Sequence, residues 1–282
     1  MRELRGMPVV NALNEQISKQ IEKLNENQII PKLAVIHVGE RENNISYEKG
    51  ILKCFSAVNA AVDVITLPSD VMQNVLEETV FDLNNDKSVH GILLFCPLPK
   101  HLSQKRLKEI ISKDKDVDGM GMINNAYVYE GDKEAYASCT AQAVIEILDF
   151  YGIDVTGKKI TVIGRSLVVG RPLAMLLLDR NATITVCHTK TLDLANECKK
   201  ADILIACAGS AKMVGVDFTH HGQIVIDVGI NMADGKLCGD VDYESVADNV
   251  AAITPVPGGV GTVTTSVLLK NTVNSAMKAL KS

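Results

Sequence analysis

The chain has 282 residues, enough for two α/β domains of about 100 to 150 residues each and too many for one compact core of common size. Apolar residues make up 46% and charged residues 22%, and Trp is absent beside five Phe and six Tyr, so the cores must be aliphatic, as in parallel sheets covered by helices. A net charge of −5 without any Lys- or Arg-rich run argues against a nucleic-acid or anionic-membrane surface, and any anionic ligand must be met by a local pocket.

The seven cysteines are scattered and never form C-x-x-C, which reads as free thiols in a reducing cytosol. The first 30 residues lack an apolar core of signal-peptide type, and apolar runs such as 173–178 (LAMLLL) are too short to span a bilayer. The expectation is a soluble cytoplasmic protein with no membrane or nucleic-acid partner.

In chain order, residues 11–27 place Leu13, Ile17, Ile21 and Leu24 at helical spacing, and Pro31 then introduces 33–38 (LAVIHV), a run of buried-strand type. A helix at 43–58, a strand at 61–67, a helix at 70–84, a strand at 91–96 and a helix at 103–112 follow, so residues 31–112 read as repeated βα units. The Gly-, Asn- and Asp-rich stretch 114–140 breaks the periodicity and is long enough to be functional or to cross between domains. A second series has helices at 141–152, 170–179 and 191–200 and strands at 158–164, 182–187, 202–208 and 223–229, the pattern of a doubly wound, Rossmann-like cofactor domain. A last helix at 264–280 follows a Pro/Gly turn, and the sequence leaves open which domain it joins.

Four segments carry chemical signals. Strand 159–163 runs into G-R-S-L-V-V-G-R-P (164–172), where a strand-to-helix loop offers N–H groups and a positive dipole end to a phosphate. The spacing is neither G-x-G-x-x-G nor a Walker loop, and the bland reading is a βα turn whose glycines serve packing. The next strand ends in Cys187-His188-Thr189-Lys190, with no acid to select NAD at the ribose; with Arg165, whose guanidinium suits a phosphate, this favours NADP. In K-D-V-D-G (115–119), Asp116 reads as a turn cap, and Asp118 suits a ligand with an amidine-like pair of donors. Finally, 254–261 (TPVPGGVG) fixes a loop whose backbone can approach a flat ligand, or serves as a plain domain-crossing turn.

Together these segments resemble the methylenetetrahydrofolate dehydrogenase/cyclohydrolase family. The matches are V-I-G-R-S-x-x-V-G-R-P (162–172), A-T-I-T-V-C-H-T (182–189), K-D-V-D-G (115–119), V-I-D-V-G-I-N (225–231), G-D-V-D (239–242) and T-P-V-P-G-G-V-G (254–261), in the family's order over most of the chain. The resemblance implies a fold of two α/β domains, each with a mostly parallel sheet flanked by helices. Residues 1–120 with 264–282 would form a folate-binding catalytic domain and 121–263 an NADP-binding Rossmann-like domain, with a cleft between them and a homodimeric assembly. It further implies that Gly164, Arg165, Ser166, His188, Thr189 and Ile230 contact NADP, that Asp118 holds the pterin, that Tyr47 stacks on the aminobenzoyl ring, and that Pro257, Gly258 and Gly259 border the tetrahydrofolate substrate. The implied reaction is hydride transfer from 5,10-methylenetetrahydrofolate to NADP. It asks little acid–base help, because a folate nitrogen lone pair stabilises the cation formed.

The departures from the family are as informative. Bifunctional members carry a lysine four residues after the tyrosine, which serves the cyclohydrolase step, and a supporting Gln in the strand before the P-L-P turn; here Ile51 and Phe95 stand there. On a helix, Lys49 and Lys53 lie about 160° and about 120° from Tyr47, against about 40° for position 51. The expectation is a dehydrogenase with weak or lost cyclohydrolase activity, whose methenyl product a separate cyclohydrolase takes. The alternatives are a bifunctional enzyme using Lys53 and a non-catalytic folate-binding protein. Smaller departures are Ser138 and Ala141 in the P-C-T-P turn, Gly121-Met122 for His-Pro, and Thr262-Val263 for Pro-Met.

Overall fold

A computed structural model of the chain describes residues 1–39, 42–233 and 235–281, so Glu40 and Arg41, which the alignment of Tyr47 to the family crosses, lie outside the described residues. After strand β1 (Arg2–Glu3), helix α1 (Gly6–Glu26) leads to β2 (Lys32–Val38), α2 (Glu42–Ser56), β3 (Ala61–Leu67), α3 (Gln73–Asn85), β4 (Gly91–Leu94), α4 (Gln104–Ile110) and α5 (Met122–Glu130). There follow α6 (Cys139–Phe150), β5 (Lys159–Ile163), α7 (Gly170–Leu178), β6 (Thr183–Cys187), α8 (Leu194–Lys199), β7 (Ile203–Ala206) and β8 (Ile224–Asp227). A hairpin of β9 (Asn231–Ala233) and β10 (Lys236–Cys238), then α9 (Tyr243–Val246), β11 (Ala252–Ile253) and α10 (Val260–Ala279), complete the chain.

Two compact units divide it: one of Ala12–Cys139 with Thr265–Ser282, the other of Met1–Asn11 with Thr140–Thr264. These limits differ from the expected 1–120 plus 264–282 and 121–263. The N-terminus joins the second unit because β1 pairs in parallel register with β11, Arg2 opposite Ala252 and Glu3 opposite Ile253. Residues 121–139 stay with the first because α5 is tied to the 113–116 turn: the buried Asn124 amide donates to Lys113 O (2.9 Å) and to Asp116 Oδ2 (2.9 Å). Sequence periodicity misses α5, whose nine residues include two adjacent Asn and present no clear apolar stripe.

In the first unit a three-stranded sheet has the order β3-β2-β4, all parallel. Side chains alternate along β2. One face carries Ala34, Ile36 and Val38, packed in a cluster with Leu76 and Val80 of α3 and Leu107 of α4. The other carries Leu33, Val35 and His37, and α2 lies on that side, since its Glu48 reaches His37.

The second unit has a six-stranded sheet of order β1-β11-β8-β7-β5-β6, every pair parallel. The chain leaves β5 first to one side and then to the other, so β5 is the switch point, and ligands of such sheets bind beyond the carboxyl ends of the strands there. The three-stranded sheet switches in the same way at β2, which places residues following β2 and β4 at the corresponding edge. No helix among the described residues is long and apolar enough to cross a membrane.

Candidate active site

Beyond β2, α2 carries Tyr47 and Ile51 one turn apart. Tyr47 is 36% exposed and Ile51 0%, while Lys49 and Lys53 are both exposed. The Tyr47 ring stacks on Phe95, just past β4, with centroids 5.6 Å apart and planes at 28°. Phe95 in turn meets His37 edge-on at 4.2 Å. Ile51, one turn from Tyr47, and Phe95, stacked on it, are both apolar and buried. Burial, and after it the charges of Cys139, Asp118 and Cys54, hold the Tyr47 hydroxyl well above its usual titration range, so it is a neutral donor.

The 115–119 turn separates its two acids by role. Asp116 is buried and accepts hydrogen bonds from Met120 N (2.8 Å), Gly121 N (2.8 Å) and the Asn124 amide (2.9 Å), so it caps the turn; burial lifts it to about 6 against those bonds. Asp118 accepts from Cys139 N at 3.0 Å, and burial raises its carboxyl while that bond opposes the rise. Gly119 sits at φ +60°, where an added Cβ would run into Tyr136 O. Asn271 of α10 donates to Val117 O at 2.9 Å, bracing the turn from the C-terminal helix. Sequence alone assigns no role to Cys139 or Asn271; its only pointer to either is the P-C-T-P likeness at 138–141.

In the second unit the loop 164–170 closes on itself. Gly164, at φ +130°, has no room for a Cβ against Cys207 O, and a Cβ at Gly170 would meet Gly164 O. The glycines therefore serve packing, in line with the bland reading. What they frame is Arg165 to Val168, exposed at the carboxyl end of the switch strand ahead of α7, where the helix dipole favours a phosphate. Ser166 Oγ accepts from Val169 N at 3.0 Å, which leaves its O–H free to turn to a ligand. Pairing of Ile163 with Cys187 sets the end of β6 beside this loop, and His188 Nδ1 there accepts from Lys190 N at 3.1 Å, leaving Nε2 for another partner. Thr189 is exposed.

Ile230 is 64% exposed and, with Leu237, lines a cavity of about 250 Å³ whose other wall is Pro255 to Thr262. The structure thus brings Ile230 together with Pro257, Gly258 and Gly259. Two buried carboxylates hold this edge. Asp240 accepts from the N–H groups of Ala208 (2.6 Å), Gly209 (3.0 Å) and Ser210 (2.8 Å) and from the Asn231 amide (2.9 Å). Asp227 accepts from Gly229, Asp240 and Val241 N–H groups. The opposite wall is anchored from the N-terminus: Gly6 N donates to Gly258 O at 2.7 Å, and Gly6 packs so closely on Gly259 O that a Cβ would not fit.

Comparison with known proteins matches two family profiles in chain order. Residues 4–118 match "Tetrahydrofolate dehydrogenase/cyclohydrolase, catalytic domain" and residues 138–280 match "Tetrahydrofolate dehydrogenase/cyclohydrolase, NAD(P)-binding domain". The chain belongs to the tetrahydrofolate dehydrogenase/cyclohydrolase family. It is 46% identical to the bifunctional protein FolD of Clostridioides difficile over 273 residues, 96% of this chain and 95% of that one. Among solved structures it is similar to the bifunctional FolD of Campylobacter jejuni (TM-score 0.96, 40% identity, 99% of both chains). It is also similar to the FolD of Trypanosoma brucei, solved with NADP and an inhibitor (TM-score 0.93, 32% identity, 99% and 98% of the chains).

Within this family the profile boundary at 138 falls beside the observed division after Cys139, whereas α10, which the NAD(P)-binding profile includes, belongs from Thr265 onward to the first unit. The exposed 165–168 loop at the switch strand, and the absence of an acid after β6, fit a dinucleotide bearing an extra phosphate. Ile51 and Phe95, the two positions at which the sequence reading expects a departure from the bifunctional pattern, are both buried.

Proposed function

We propose that this chain oxidises 5,10-methylenetetrahydrofolate with NADP, and that hydrolysis of the methenyl product is weak or lost. The family and the NADP-bound relative support the dehydrogenase half. The wall of Tyr47, Ile51 and Phe95 carries the other half: the position one turn from Tyr47 is fully buried and apolar, and Lys53 is exposed on another face of α2.

Asp118 would accept the paired N–H donors of a pterin, and Tyr47 would offer its ring to the aminobenzoyl group. Pro257 to Gly259 would border the folate. Arg165, Ser166, His188 and Thr189 would hold the phosphates and ribose, with Ile230 against the cofactor ring. NADP, when bound, supplies the hydride acceptor. The protein's own contribution is positioning and exclusion of water, worth several powers of ten when reacting atoms are held in line. The apolar side chains of Ile51 and Phe95 suit hydride transfer and cannot themselves activate water.

The test is one spectrophotometric assay with purified protein, 5,10-methylenetetrahydrofolate and NADP, following NADPH and methenyltetrahydrofolate together. We expect the two to accumulate in equal amounts until a separate cyclohydrolase is added. Decay of the methenyl band well above its spontaneous rate would refute the loss of hydrolysis and favour the Lys53 reading; absence of NADPH would refute the dehydrogenase.

A further inference from the structure

We propose that His37, which is buried, and Glu48, which is half-buried, are positioning residues that the reaction does not use and that fix the stacking ring of Tyr47 through Phe95; this rests on the reading of Tyr47 as the folate-stacking residue. His37 is 6% exposed on the face of β2 otherwise occupied by Leu33 and Val35, where an imidazole is out of place without a partner. Glu48 Oε2 lies 2.7 Å from His37 Nε2. That nitrogen has no aligned hydrogen bond, so the contact is one of close approach between the two polar heads.

The pair joins two elements at one point. Glu48 follows Tyr47 on α2, about 100° round the helix. With Glu48 held to β2, the helix cannot turn to carry Tyr47 off Phe95. From the sheet side, Phe95 N donates to Ile36 O at 3.0 Å, fixing its backbone beside His37. The His37 ring then supports Phe95 edge-on, and Phe95 supports Tyr47 face-on, giving a column of three rings. Where a lysine and a glutamine would span this wall in a bifunctional relative, Ile51 and Phe95 offer no polar tie between helix and sheet, and the His37–Glu48 contact supplies one from behind.

The experiment compares the wild-type chain with Glu48→Gln and with the double variant His37→Leu/Glu48→Leu. KM for 5,10-methylenetetrahydrofolate, KM for NADP, kcat and thermal midpoint are read for each. We expect Glu48→Gln to raise the folate KM by about fivefold or more with the NADP KM unchanged, the signature of a lost substrate-positioning contact. The double variant leaves no unpaired buried polar group, so it should melt at or above the wild-type temperature yet keep the raised folate KM. A folate KM that stays at the wild-type value in either variant, or an NADP KM that rises in parallel, overturns the inference while leaving the dehydrogenase reading standing. A wild-type chain that neither binds nor oxidises the folate overturns both.

Discussion

At the scale of single residues, Ile51 and Gly6 are the most informative. Ile51 is fully buried one turn from Tyr47 on α2, so Ile51→Lys would bury an unpaired ammonium, and we expect it to lower stability by about 3 kcal/mol or more. Ile51→Lys/Phe95→Gln should recover part of that loss, because the amide offers the ammonium a partner; urea unfolding of both variants measures it, and equal losses would show that the two positions do not communicate. Gly6 has no room for a methyl group against Gly259 O. Gly6→Ala should therefore displace the Pro257–Gly259 loop and cut kcat/KM about tenfold, roughly 1.4 kcal/mol in transition-state terms, while the same substitution at Gly152, where an added Cβ meets nothing and only the left-handed backbone (φ +66°) is strained, should lower stability but leave kcat/KM unchanged. Asp118 is legible in the sequence as an oriented carboxylate; the Cys139 N–H that orients it is not, because 21 positions separate the two residues.

Among the elements, α2 is the most telling. Its interior holds Gly50, which has helical backbone and nothing within 4 Å of the point where a methyl group would stand. Gly50→Ala should stabilise the chain by about 0.5 to 1 kcal/mol by restricting the unfolded backbone, read as a higher denaturant midpoint with unchanged slope. A loss of stability would mean that the glycine is needed for motion or packing. Hydrophobic patterns locate α2, β2 to β4 and β5 to β8 because each element writes its apolar residues locally, even in β3 and β6, which are largely uncovered. They miss α5, whose anchorage is the Asn124 amide on Asp116, and they begin α10 four residues late because Gly258 to Gly261 read as turn while Val260 and Gly261 are already helical. They also miss β1 and β11, two-residue strands that exist only through their pairing.

For the molecule as a whole, buried acids couple folding to pH. Burial pushes Asp116 and Asp227 up to about 6, from 3.8. Both therefore bind a proton more tightly folded than unfolded. The stability this lends is present below about pH 4 and is lost as pH rises through 6, about 3 kcal/mol for each by the usual conversion. Unfolding free energies of wild type and Asp227→Asn, measured by urea between pH 4 and 7, should diverge in that window, the wild type losing more as pH rises. Parallel profiles would show that Asp227 titrates normally. The three hydrogen bonds that the Asp227 carboxylate accepts from Gly229, Asp240 and Val241 N–H groups tie this titration to the turn that precedes Ile230.

By itself the sequence determined the α/β alternation, the likeness of its loops to one family, and the apolar identity of positions 51 and 95, since all three are written in residue identity and in periods of two and 3.6. Tertiary structure alone decided that β1 joins the second unit's sheet, that Gly6 anchors the Pro257–Gly259 loop, and that residues 37, 95 and 47 form a column of rings backed by Glu48. These contacts join residues far apart in the chain. Local periodicity reports which face of an element is buried, and only folding reports what it is buried against.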